Sequence, residues 1–199
     1  VNAINSYSSN TLCGGVVILN YKAILRKSSV YNNIVYNSGG NIIGGIIYNY
    51  GTIKEVTVIN NEVNISVNNS TNIITSALVA SFVFDKLKVL NNRVNYFGTA
   101  TSAAFNGFIT PPAKATTCLI ANNTFSSNTV VNIQSLVFGV VMGGGKSYEM
   151  DQLTVADNKA ITSGFVKAVG FCGVPGTSFS QGNIFTIKNC IFWNPYNAG

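Results

Sequence analysis

Residues 56–66 read VTVINNEVNIS. Val56, Val58, Val63 and Ile65 are strand formers, whereas asparagine is a poor strand residue. Asparagine does tolerate the left-handed backbone better than other non-glycine residues. The Asn60-Asn61 pair therefore reads as a corner between two short strands. The same pattern recurs as SVYNNIVYN (29–37), TVINNEVNI (57–65), KVLNNRVNY (88–96), LIANNTFSS (119–127), TVADNKAIT (154–162) and TIKNCIFWN (186–194), with a looser copy, AINSYSSN, at 3–10. Aligned on the second asparagine, the anchors are Asn5, Asn33, Asn61, Asn92, Asn123, Asn158 and Cys190, in steps of 28, 28, 31, 31, 35 and 32 residues.

The agreement extends beyond the asparagines. Three residues before the anchor stand Val30, Val58, Val89, Ile120, Val155 and Ile187. Five before stand Ser28, Val56, Leu87, Cys118, Leu153 and Phe185, and two after stand Val35, Val63, Val94, Phe125, Ala160 and Phe192. A further apolar segment follows each of the first six anchors: GGVVIL (14–19), GGIIYN (44–49), SALVAS (76–81), AAFNGF (103–108), VFGVVM (137–142) and VKAVGF (166–171). Each unit of about 30 residues thus predicts three strands. Helical periodicity is nowhere sustained. Such a unit cannot bury its apolar face alone, but stacked units share one continuous core. The expectation is an all-β parallel β-helix of six to seven coils, one domain over residues 1–199. With no polar cap at either end, the chain reads as a fragment of a longer solenoid or a subunit that stacks end to end.

This coil pattern resembles the right-handed parallel β-helices of the pectate-lyase-like superfamily. The tetrapeptides GGVV (14–17), GGII (44–47) and FSSN (125–128) are similar to the repeats of polymorphic membrane proteins, which are surface autotransporter adhesins. The first resemblance implies a fold that often cleaves acidic polysaccharides; the second implies a cell-surface adhesin.

A ladder of Asn33, Asn61, Asn92, Asn123 and Asn158 would let each amide bond its equivalent one coil away, about 4.8 Å distant. Its role is structural, since an amide does not exchange protons near neutral pH. Asp157 replaces the first asparagine of one pair. Cys190 would end the ladder, and its column differs from that of Cys118, so no disulfide is expected.

Charged residues are 9% of the chain, against about 25% in an ordinary globular protein. The polar surface comes instead from 28 Asn, 18 Ser and 16 Thr. That balance suits long β-surfaces outside the cell. The net charge of +6 is scattered, and no nucleic-acid partner is expected. The stretch IITSALVASFVF (73–84) is too short and polar to span a bilayer, so no transmembrane segment is expected. Neighbouring coils pair opposite signs: Glu55 between Lys27 and Lys86, Lys54 beside Asp85, and Glu62 beside Arg93.

With no histidine, Ser-His-Asp and Cys-His catalysis is excluded. The four cysteines lack zinc-site spacing, and no metal or cofactor is expected. MGGGKSYE (142–149) lacks the glycine that a phosphate loop needs at Val140. Glu149 and Asp151, with Lys146 nearby, are the only candidates for a carboxylate site. Sequons fall at Asn64, Asn68, Asn69 and Asn122. Asn64 faces outward and Asn68 and Asn69 sit in a loop, so these three are the glycosylation candidates in a eukaryotic secretory route; Asn122 is expected to lie in the turn ladder. The leading expectation is a non-catalytic extracellular or cell-surface stalk, filament or adhesin. Its partners would be other copies, flanking coils, glycans or a host surface. The alternatives are a polysaccharide-cleaving or glycan-binding domain and a viral or phage fibre segment.

Overall fold

The computed structural model describes residues 4–7, 11–13, 15–19, 22–38, 41–49, 51–66, 73–99, 104–129, 131–139, 147–164, 166 and 184–193. They form 24 strands and no helix. Every strand pairs in parallel with its equivalents in neighbouring units. The chain is a parallel β-solenoid, as the repeat predicts.

Four sheets run along the solenoid. The first stacks six strands, Ile4–Tyr7, Ile34–Asn37, Glu62–Ile65, Arg93–Tyr96, Thr124–Ser127 and Lys159–Ile161. The second holds five, Thr11–Cys13, Asn41–Ile43, Ile73–Thr75, Ala104–Asn106 and Asn132–Ser135. The third has three, Val17–Leu19, Ile47–Asn49 and Val79–Ala80, extended by single bridges to Ile109 and Phe138. The fourth has ten and leads into the asparagine corners. About four turns close on every face, fewer than the six to seven coils expected. The third sheet is short, and residues 167–183 lie outside the described residues.

The three strands expected per unit are distributed over these four sheets. The segment before the asparagines bends once more, at residues of positive φ: Lys27 (47°), Glu55 (55°), Lys86 (53°), Thr117 (53°), Gln152 (55°) and Asn189 (53°). From the third unit onward this bend splits it into two strands, such as Val83–Asp85 and Lys88–Leu90. The second sheet is the additional one, formed between the strand that follows each corner and the third sheet. Ala104–Asn106 belongs to this sheet rather than to the third, because it pairs with Ile73–Thr75. Loops of unequal length before this sheet let an alignment on apolar content slip by one face.

Two end copies also change register. Asn5 lies opposite Val35 and not in the anchor column. Phe192 lies opposite Val155, and Ile187 opposite Met150. Cys190 therefore follows the left-handed bend at Asn189 and shares the column of Leu153 and Cys118; it does not end the asparagine ladder. Val155 lies three residues before its anchor Asn158, so Phe192, opposite Val155, stands before an anchor position and not two residues after one. The misreading arose because Asn189-Cys190 imitates an asparagine corner at the bend that precedes it.

Inward columns build the core. Val30, Val58, Val89, Ile120 and Val155 are all at most 1% exposed, as are Val35, Val63, Val94 and Phe125. Each buried side chain of this size contributes about 1.5–3 kcal/mol. Phe125 leans on Phe105 at 4.3 Å between ring centroids, and Phe108 meets Phe105 edge-on at 5.4 Å. The double glycine of GGII is explained at the bend between the second and third sheets. Gly44 takes φ +60°, and a Cβ on Gly45 would sit 2.4 Å from the carbonyl oxygen of Ala77 in the next coil.

Candidate functional site

The asparagine corner divides its work between two residues. The first of each pair supplies the turn: Asn32, Asn60, Asn91, Asn122 and Asp157 have φ of 53–57°. An acid serves here as well as an amide, because the requirement is a short polar side chain that accepts this backbone.

The second residue is the ladder. Asn33, Asn61, Asn92, Asn123 and Asn158 are at most 1% exposed. The backbone N–H and the Nδ2 of Asn61 both donate to Oδ1 of Asn92, each at 2.9 Å. Asn92 does the same to Asn123 at 3.0 and 2.9 Å, and Asn123 to Asn158 at 3.1 and 2.8 Å. The second Nδ2 proton goes back one coil, from Asn61 to the Val30 carbonyl at 3.0 Å and from Asn92 to the Val58 carbonyl at 2.9 Å. The corner would otherwise bury these main-chain groups unpaired. Only an amide of this length offers two donors and a two-fold acceptor at one position.

A second polar row runs on the outer face of the first sheet. Asn64 donates to Glu62 Oε1 at 2.7 Å and accepts from Asn95 Nδ2 at 2.9 Å. Ser126 Oγ donates to Asn95 Oδ1 at 2.6 Å. Asn64 is only 7% exposed. Asn122, by contrast, is exposed at its corner, and its side chain makes no hydrogen bond to a described residue. The ladder residue is Asn123; Asn122 supplies the left-handed backbone of the turn, and its side chain stays outside the ladder in which the sequence suggested it would lie. Asn68, Asn69 and Lys146 lie outside the described residues.

The candidate carboxylates stand on the outer face of the strand Ser147–Asp151, either side of buried Met150. Glu149 pairs with Lys114 at 3.1 Å, and both side chains are about half exposed. Asp151 accepts from Asn189 Nδ2 at 2.9 Å. Of the expected ion pairs, Lys54–Asp85 closes at 3.4 Å. Glu62 sits opposite Arg93, but its carboxylate is taken by Asn64 and Asn95. Among the described residues Glu55 forms no ion pair with Lys27 or Lys86. All three occupy the left-handed bend facing solvent, where a pair gains little.

Cys118 and Cys190 are free thiols. Burial pushes the Cys118 thiol up to about 11. It donates to the Thr116 carbonyl at 3.3 Å, and it acts as a small apolar residue rather than a nucleophile. Among the described residues no three acidic or thiol side chains gather as a metal site, and no helix is long and apolar enough to cross a membrane. The chain matches no protein-family model, no curated protein and no solved structure.

Proposed function

We propose that this β-solenoid is a non-catalytic extracellular or cell-surface segment, a stalk, filament or adhesin that works through its outer faces and coil-to-coil contacts. The likeness of its coils to pectate-lyase-like β-helices and to autotransporter-type surface repeats supports that setting. The observation that carries the reading is the last described rung. Tyr148, Met150 and Val155 are at most 6% exposed, but their successors Phe185, Ile187 and Phe192 are 38%, 48% and 41% exposed. Trp193 and Ile191, 62% and 59% exposed, add further apolar surface. That apolar face is the surface on which a second copy would stack, coil on coil.

The test is sedimentation velocity over a concentration series. The chain should form species larger than its 21.1 kDa mass, and Ile187→Lys with Phe192→Lys should return it to a folded monomer. A parent chain that stays monomeric throughout, with the rung exposed, would sink the contact reading.

A further inference from the structure

Five corners of the solenoid present the same left-handed residue, Asn32, Asn60, Asn91, Asn122 and Asp157. Two residues on, at the start of each following strand, stand Ile34, Glu62, Arg93, Thr124 and Lys159. One corner alone therefore completes an Asn-X-Thr sequon, Asn122-Asn123-Thr124. Asn123 is locked into the buried ladder by bonds to Asn158 and to the Val89 carbonyl. The corner is thereby rigid, while the Asn122 side chain stands in solvent. It faces an open recess of about 630 Å³ lined by Thr124, Asp157, Lys159, Ala160 and Ile161. Ile161 is 56% exposed there and Ala160 adds a methyl group, while Asn122, Thr124, Asp157 and Lys159 make the rest of the wall polar.

We propose that Asn122 is the acceptor for an N-linked glycan, with the recess taking the first sugar. The donor class is an oligosaccharide carried on a lipid diphosphate. Asn122 Nδ2 bonds to the anomeric carbon, and the bond from that carbon to the diphosphate oxygen breaks. The lipid diphosphate leaves with the electron pair, and the amide nitrogen gives up one proton to the transferase's base. Nothing is oxidised or reduced. Asn64 is the converse case. Its Nδ2 and Oδ1 are committed to Glu62 and Asn95, so a glycan there must break the outer polar row before the coil can close. Chains modified at Asn64 are lost from the folded pool.

The proposal draws on the extracellular reading only for the route, and the experiment supplies that route. The chain is secreted from eukaryotic cells behind an added signal sequence. The folded, protease-resistant fraction is then deglycosylated enzymatically in heavy-oxygen water, which marks each former glycan site. The expected mark falls on Asn122 and not on Asn64, and Thr124→Ala abolishes it while leaving Asn122 in place. Arg93→Thr copies the Thr124 environment onto the preceding coil and should add one glycan, at Asn91. A mark on Asn64 in folded protein, an unmarked Asn122, or a folded Arg93→Thr chain with no gain at Asn91 would each overturn the assignment. Failure of the chain to associate bears on the coil contact alone, so the two readings fail separately.

Discussion

Two bends in every coil share one backbone conformation but not one sequence. At the asparagine corner, Asn60, Asn91 and Asn122 hold φ of 54–57°. At the bend before it, Glu55, Lys86, Thr117 and Gln152 hold φ of 53–55°. A left-handed residue other than glycine costs about 1–2 kcal/mol, less for asparagine. The first bend meets that cost with a suitable residue and then fixes the corner with a buried amide ladder. The second holds it with unsuited residues, through the packing of the column behind it: Val56, Leu87, Cys118 and Leu153 are at most 3% exposed. Both bends carry main-chain bonds to the next coil, but only the asparagine corner adds a buried side-chain ladder; the other leans on the apolar column behind it.

The largest test removes a rung of the ladder. Asn92→Ala takes away the acceptor for two Asn61 donors and the donors to Asn123 and the Val58 carbonyl. With these groups left buried and unpaired, urea denaturation should show a loss of about 3–5 kcal/mol. Loss below about 1 kcal/mol would mean that water or backbone shifts replace the ladder, and the contrast between the corners would collapse.

The burial-held bend is probed by pH. Cys118 follows it directly, and its thiol is raised from 9.0 to about 11 by desolvation. The native state keeps this proton where the unfolded chain loses it. The contribution is therefore complete below about pH 9 and is lost as pH rises towards about 11, by on the order of 2 kcal/mol. Cys118→Val should flatten this alkaline slope relative to the parent chain. Parallel stability curves from pH 8 to 11 would show that the column is wetter than its exposure implies.

The contrast also explains what could be read from the sequence. The asparagine corner was legible because its geometry and its ladder both demand a particular residue, so Asn33, Asn61, Asn92, Asn123 and Asn158 recur. The other bend was not, because main-chain bonds between coils and the packing behind it hold it without one recurring side chain, and Lys27, Glu55 and Thr117 share no chemistry. The charges there looked like a pairing pattern, although among the described residues Lys54–Asp85 is the one expected pair that closes. The final copy misled for the same reason: Asn189 makes the packing-held bend with a residue typical of the other. Asn122 was misjudged because two adjacent asparagines look alike in sequence, whereas one is solvent-facing and the other is 0% exposed. Only the coil geometry separates them.

Substitutions at the left-handed residues give the smallest and sharpest contrast. Lys86→Asn or Glu55→Asn places a tolerant residue at the packing-held bend and should stabilise by about 0.5–1 kcal/mol. Asn91→Gly at the other corner relieves little remaining strain and adds freedom to the unfolded chain, so its effect should stay within about 0.5 kcal/mol. Thermal or urea unfolding of these variants resolves the difference. If Asn91→Gly stabilises as much as Lys86→Asn, the asparagine is strained at its own corner. The recurrence of the first asparagine would then need a reason beyond backbone tolerance, such as the exposed amide that it presents to solvent.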